Sequence, residues 1–329
     1  MRFRQSPATF TVEELPLFSL CGHGDHAYLK TRRSGLSTPH ILKELQRRLK
    51  IGEADLGCAG MKDRDAVAVQ TFSVPARSRG QAVRLLEELG VEVLASTPHT
   101  HKLRTGKLAG NRFTLIVEID SPGELEGLRG ACARLARQGM PNAFGPQRFA
   151  DFSGVEEGRK LFLGIRPRGV FRQGRFAMSV FQALLFNELL ALRRERGLFP
   201  APVPGDVVKR HDSGGEFVAL ELDDNLLWRV ESLEVSPAGP IFGRKMAQAQ
   251  ADALDMELEV LSRHKLNLGS VASTKAPGGR RFLRVPTGPI AIEENAAEAA
   301  VRLAFELPPG SYANVLLREL DVQLIPPGS

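Results

Sequence analysis

Apolar and polar positions alternate along residues 8–18 (ATFTVEELPLF) and 26–33 (HAYLKTRR), which predicts two β-strands. Ser37-Thr38-Pro39 then opens a helix. Thr38 is expected at the N-cap, Pro39 at the first helical position, and Ile41, Leu42, Leu45 and Leu49 as its apolar stripe. Residues 55–60 predict a short strand ending in a turn, and 66–74 a further strand. A helix runs through Arg84–Leu89 and a strand follows at 91–95. Arg112–Ile119 is strongly β-forming, and 123–138 places Leu125, Leu128, Cys132 and Leu135 on one helical face. Strands and helices mix with no regular βαβ repeat, so the class is α+β.

The pattern changes at Gly139-Met140-Pro141-Asn142. Arg175–Arg196 is a long amphipathic helix whose stripe of Met178, Phe181, Leu185, Leu189 and Leu192 reads as core. PAPVPG at 200–205 is a linker or long turn, 216–235 suggests short strands, and a charged helix is expected from about 246 to 264. Residues 282–292 and 299–307 return to β, and a last helix over about 312–320 follows Leu307-Pro308-Pro309-Gly310-Ser311. Strands at both ends around a helical middle suggest one sheet domain interrupted by an insertion. The chain's 329 residues fit two domains, and no period of a repeat protein is present.

An apolar fraction of 43% and a charged fraction of 25% exclude whole-chain disorder. No uninterrupted apolar run approaches the roughly 20 residues of a membrane span, and MRFRQSPATF carries no stretch of signal-peptide type; the expected setting is the cytoplasm. Three cysteines, Cys21, Cys58 and Cys132, are too few and scattered for a disulfide framework. The cluster Cys21-Gly22-His23-Gly24-Asp25-His26 lacks a second ligand pair, so no metal is expected. Net charge is 44 − 38 = +6. The excess concentrates in three acid-free segments. One carries His99, His101, Lys102, Arg104, Lys107 and Arg112. Another carries Arg159, Lys160, Arg166, Arg168, Arg172 and Arg175, and the third Lys275, Arg280, Arg281 and Arg284. They read either as a polyanion-binding surface or as three solvated loops.

Phosphate-loop, dinucleotide and nucleophile-elbow motifs are missing from the sequence. His99-x-His101 sits among cations and reads as surface histidines rather than a metal site. The informative segment is Gly60-Met61-Lys62-Asp63-Arg64, continuing to Gln70. A glycine turn there presents a carboxylate flanked by two cations, which favour its ionised form. Such a carboxylate can act as nucleophile or base. The other reading is a surface turn with a local ion pair.

The same segment resembles the Gly-x-Lys-Asp-[Lys/Arg]…Gln motif of the TruD family of tRNA pseudouridine synthases, and further family motifs follow in order. Phe10-Thr11-Val12-Glu13-Glu14 is similar to its Asp-Phe-x-Val-x-Glu, with Thr9 at the Asp. Gly22-x-Gly24-Asp25-His26 resembles Gly-x-Gly-x-His. Lys102-Leu103-Arg104-x-Gly106-x-Leu108-x-Gly110-Asn111-Arg112-Phe113 resembles Lys-Leu-x-x-Gly-x-Leu-x-Gly-Asn-x-Phe. Pro141-Asn142-Ala143-Phe144-Gly145-Pro146-Gln147-Arg148-Phe149 resembles Pro-Asn-[Tyr/Phe]-Phe-Gly-x-Gln-Arg-Phe, with Ala143 at the aromatic position. Leu307-Pro308-x-Gly310-Ser311-Tyr312-Ala313 resembles Leu-Pro-x-Gly-Ser-[Phe/Tyr]-Ala. The departures are Asp65 where His is common, Ala68-Val69 where a Thr and a polar residue are common, Ala150 for Gly, and no clear Asn-x-x-x-Gly in Asp151–Gly158.

The resemblance implies an α+β pseudouridine-synthase catalytic domain with a mixed, largely antiparallel sheet, over 1–138 plus 284–329. An α/β insertion of the TruD type would occupy 139–283. It implies isomerisation of uridine to pseudouridine in tRNA, at position 13, without cofactor or metal. Asp63 would be the nucleophile, paired with Arg4 or Lys62. Strand alternation favours Arg4, because Lys62 and Asp63 are neighbours. Phe10 or Tyr312 would pack on the flipped-out base, and Asn111 would hydrogen-bond its edge. Asn142, Phe144, Gln147 and Arg148 would shape the insertion's entry or touch RNA. A monomer with no protein partner is expected. A non-catalytic RNA-binding protein or tRNA chaperone on the same fold is the alternative; a hydrolase built on His99 and His101 has no motif behind it.

Overall fold

The structure is a computed structural model and describes residues 1–149, 153–165, 171–295 and 299–325. Ala150, Asp151, Arg166, Arg168 and the side chain of Arg172 lie outside that description. Along the chain come β1 (Arg2–Arg4), β2 (Phe10–Pro16), β3 (His26–Arg33) and α1 (Thr38–Leu49). Ser37, not Thr38, caps α1: its backbone is extended and its side chain accepts from His40 N, with Pro39 in the first turn. Thr38 lies inside the helix, fully buried. Next are β4 (Gly57–Cys58), β5 (Val67–Pro75), α2 (Arg79–Glu88), β6 (Glu92–His99), β7 (Leu108–Glu118) and α3 (Pro122–Gln138). Strand β6 outruns the expected 91–95. It tolerates Pro98 because it is the edge strand, beside β3.

The middle of the chain holds β8 (Met140–Pro141), α4 (Ser153–Phe162), α5 (Phe171–Glu195), β9 (Asp206–Arg210), β10 (Glu216–Ala219), α6 (Asp224–Glu231) and β11 (Val235–Ile241). Then follow α7 (Ala251–Arg263), α8 (Leu268–Ser273), β12 (Gly279–Phe282) and β13 (Arg284–Val285). The strands expected over 216–235 are interrupted by α6, whose N-cap Asp223 accepts from Leu226 N. Helix α4 is an addition to the elements expected from the pattern. Its Gly158 lets the backbone of α5 approach, since a Cβ there would lie 2.4 Å from Ala177 O. The chain closes with β14 (Ala291–Asn295), β15 (Ala300–Leu307), α9 (Ala313–Glu319) and β16 (Gln323–Ile325).

Two compact units result, one of Met1–Ala136, Thr287–Ala313 and Leu317–Ser329, the other of Arg137–Pro286 and Asn314–Leu316. The first unit holds a ten-stranded sheet of order β14-β15-β7-β2-β5-β3-β6, with β1, β16 and β4 off this path. It is mixed and largely antiparallel, as expected: among the described residues only β2/β5 and β1/β16 pair in parallel. Helices α1 and α2 bury Ile41, Leu45, Leu85 and Leu86 against Leu29, Phe72 and Val74 of the sheet. Phe3, Phe10, Phe113 and Phe305 form a contiguous chain of rings.

The second unit has a four-stranded sheet, β10-β9-β11-β12, and the small pair β8/β13. Helix α5 is long and apolar enough to cross a membrane by composition, but its Phe181, Leu185, Leu189 and Leu192 are buried with Val207, Phe242, Met256 and Val260. Each such side chain stabilises the unit by about 1.5–3 kcal/mol. Residues 200–205 are a turn rather than a linker. The buried Asp206 carboxylate accepts from Arg193 at 2.7 and 2.9 Å and from Val203 N at 2.7 Å.

Candidate active site

The turn that carries Asp63 leaves β4 and re-enters the sheet as β5, and its backbone is held from below. The Thr38 hydroxyl accepts from Lys62 N at 3.1 Å and from Arg33 Nη2 at 2.8 Å, and donates to Gln70 Oε1 at 2.9 Å. Gln70 Nε2 donates to Gly60 O. Arg33 Nη2 also reaches Gln70 Oε1 at 3.2 Å and Lys62 O at 3.5 Å, and its Nη1 donates to Leu36 O. Gly35 N donates to Arg64 O at 3.0 Å. Arg33, Thr38 and Gln70 are all buried. Buried polar groups that satisfy one another fix a single geometry, so the turn that presents Asp63 is preorganised.

The charges differ from expectation. Lys62 turns away from Asp63 and pairs with Glu14 at 3.0 Å, both side chains almost wholly buried. That pair joins the Phe-x-Val-x-Glu and Lys-Asp motifs. Burial pushes the Glu14 carboxyl above the usual carboxylate range, against the opposing effect of Lys62. Arg64 leans toward Asp65 instead, at 3.8 Å. The cation that acts on Asp63 is Arg33. The Asp63 residue meets solvent at the turn, yet the surrounding protein shields its carboxyl enough to raise its pKa. Asp65 raises it further and Arg33 lowers it. The expectation that flanking cations favour its ionised form is therefore corrected: both neighbours are engaged elsewhere and desolvation dominates. A carboxylate of raised pKa is, once ionised, a stronger base and nucleophile.

The other expected residues of this unit divide. Asn111 on β7 lies in register with Glu14 on one side and Leu307 on the other. Its Oδ1 is buried without a hydrogen-bond partner, an orphaned acceptor of the kind found where a ligand completes a site. Gly110 before it permits the close approach of β15, since a Cβ would lie 2.6 Å from Leu307 O. Phe10 is 5% exposed, packed edge-on to Phe3 and stacked on Phe113, so in this structure its ring serves the core. Tyr312 is half-buried just ahead of α9, and Arg4 is exposed on β1 opposite Ile325.

In the second unit Asn142 is buried. It donates to Phe282 O at 3.0 Å and accepts from Arg281 Nη2 at 2.7 Å. Phe144 exchanges two backbone bonds with the Asn187 amide, at 2.8 and 2.9 Å, and lies under Arg281 at 4.2 Å. Gln147 accepts from Asn314 at 3.0 Å. Arg148 donates to Ser179 at 2.6 Å and keeps a buried Nε with no partner. The third basic segment is largely internal: Arg280 pairs with buried Glu257, and Arg284 is buried against Ser236, Gln138 O and Val230 O. Among the described residues no group of three or more His, Cys, Asp and Glu is arranged to hold a metal. Sequence reasoning missed Glu14, Arg33 and Thr38 as supports of the turn. The available signal was a charge on the inward face of an alternating strand, Glu14 in step with Phe10 and Val12, and Arg33 in step with Ala27 and Leu29.

A family model described as "tRNA pseudouridine synthase D (TruD)" matches residues 1–157 and 174–320. Curated relatives named tRNA pseudouridine synthase D share much of the sequence. One from Thermus thermophilus is 41% identical over 320 residues, covering 96% of this chain and 87% of its own. Another, from an Anaeromyxobacter species, is 40% identical, covering 96% and 91%. A crystal structure of a putative TruD from Methanosarcina mazei superposes with a TM-score of 0.71 at 20% identity, covering 98% of this chain and 94% of its own. At that identity the superposition speaks for the fold.

Proposed function

Because this chain belongs to the TruD family of tRNA pseudouridine synthases and isomerises uridine to pseudouridine in tRNA, we propose that Asp63 is its nucleophile and that the substrate is the uridine at position 13. The observation that carries this reading is the preorganised turn, in which Arg33, Thr38, Gln70 and the Lys62–Glu14 pair fix the backbone around one carboxyl of raised pKa. The first unit is the catalytic domain and the second the insertion.

The uridine must leave its stack to reach the turn. The Asp63 carboxylate bonds to C1′ as the C1′–N1 bond breaks. The uracil turns with its negative charge on N1, C5 bonds to C1′ as the carboxylate departs, and the C5 proton is lost while N1 takes one up. Atoms and electrons balance without an oxidant, reductant or group donor. Asn111 Oδ1 accepts from the uracil N3–H, which satisfies the orphaned acceptor. Tyr312 packs on the extruded ring, and Phe10 supports that wall from the core. Arg4, Gln147 and Arg148 bind phosphate or ribose, whereas Asn142 and Phe144 hold the second unit's backbone. The reading includes a monomer acting in the cytoplasm.

Incubating unmodified tRNA with the protein and mapping pseudouridine by carbodiimide-dependent reverse-transcription stops tests it. A stop attributable to position 13 is expected. A stop at another position overturns the assignment of the site. None at all, from protein that binds the tRNA, favours the binding-protein reading.

A further inference from the structure

We propose that the loop after β2 and the end of β6 form a stacking surface for RNA, carried by Phe18 and His99, that grips the substrate away from the target uridine. The inference rests on the reading of the chain as an enzyme of RNA. Leu17, Phe18 and Leu20 are 50%, 39% and 37% exposed, a run of large apolar side chains in a loop that touches the core through the edge-on contact of Phe18 with Tyr28. The Phe18 ring stacks on His99, with centroids 5.1 Å apart at 19°. Tyr28 meets His99 edge-on at 5.0 Å.

Two features hold this surface still. Gly24 has φ +120°, and a Cβ on it would lie 2.6 Å from the backbone of His99 and Thr100, so the loop is clamped to the segment. Cys21 N donates to His99 Nδ1 at 3.4 Å, which places the ring proton on Nε2. Partial burial, and then the neighbouring His101, His23 and His26, lower the His99 pKa.

The surroundings select a polyanion. Segment 99–107 carries His101, Lys102, Arg104 and Lys107 and no acid; the nearby loop contributes Asp25. Arg104 and Lys107 are exposed, and the ion pairs of this basic stretch are made by Arg112, to Glu13 and Glu306. The flat ring stands at the start of this cationic segment, whose Gly106 N donates to Ala59 O on the way to the Asp63 turn, an order that suits a base followed by its phosphates. The surface is remote from Asp63. The Arg33 end of β3 lies by the Asp63 turn, while His26 at its other end pairs with Pro75 and His99. Seven strand steps separate them by about 23 Å, so the nucleotide held here is not the one isomerised.

The test uses the intact chain and an unmodified tRNA transcript. Phe18→Ala is expected to weaken tRNA binding, and to raise KM, by about five- to tenfold, the effect of losing one stacked base. The single-turnover rate at saturating enzyme should stay unchanged, and Phe18→Tyr should restore affinity. Saturating tRNA should also slow alkylation of Cys21, which lies against His99. Wild-type affinity in Phe18→Ala, or a Cys21 thiol that reacts equally fast with and without tRNA, overturns the proposal. Protein that binds tRNA through Phe18 but forms no pseudouridine would instead overturn the functional reading and leave this surface standing.

Discussion

Asp63 and Arg33 are about thirty positions apart in sequence, and the register of β3 on β5 brings them together. Arg33 lowers the pKa of Asp63 while Asp65 and burial raise it. The signs give two predictions. Arg33→Met removes the stabilising charge, so the acid limb of the pH–rate profile moves to higher pH, with turnover lowered about tenfold or more at neutral pH. Arg33→Lys should recover part of the rate, because the charge returns without the planar fork that holds Gln70 and Thr38. Asp65→His removes a like charge, so the same limb moves to lower pH. A profile unmoved by both changes would mean that another carboxyl controls the reaction. Lys62 shows that adjacency in sequence does not decide pairing: its ammonium finds Glu14, on a different strand, within the protein.

The elements show what was legible and what was not. Strands β2, β3 and β7 and helices α1, α3 and α5 follow from period, because each buries one face or stripe, and β5 follows from its β-forming run, buried at seven of nine positions. Strand β11 carries Pro237 and Pro240, which cannot donate to a ladder. It forms a strand because Val235–Pro237 pairs with β9 and Ala238–Ile241 with β12, so neither half is bonded on both sides. Helix α6 was obscured by β-forming Phe217, Val218 and Trp228 nearby, although Asp223 marks its start. The Gly110-Asn111 pair was legible as chemistry, but the glycine's reason is steric. Gly110→Ala would push β7 from β15, with an expected loss of about 1–3 kcal/mol in urea unfolding. An unchanged midpoint would show that the strands separate freely.

At the scale of the molecule, the net charge of +6 overstates the cationic surface. Arg193, Arg280 and Arg284 are interior groups of the second unit, and burial lowers the Arg284 pKa to about 10. His211 is part of the same interior. It is stacked on Phe282 at 4.2 Å, bonded to Ser236, and held at a pKa of about 4 by burial and by Arg284. Its folded pKa lies below its unfolded value, so the unfolded chain binds the extra proton. The stability it contributes is present above about pH 6.5 and is lost as pH falls toward 4. Partial exposure limits that loss to about 1–2 kcal/mol. It is measured as the stability difference between wild type and His211→Gln at pH 7 and pH 4.5. A difference independent of pH would contradict the buried neutral imidazole.

The central claim is that Asp63 performs the isomerisation. Its most direct test is tritium release from unmodified tRNA labelled at uridine C5, with wild type and Asp63→Asn compared at matched tRNA occupancy. The account predicts release by wild type and none above background by the variant. The variant should bind tRNA as tightly and keep the wild-type melting temperature or exceed it, because it no longer holds a shielded charge. Release by Asp63→Asn at a rate near that of wild type would contradict the account.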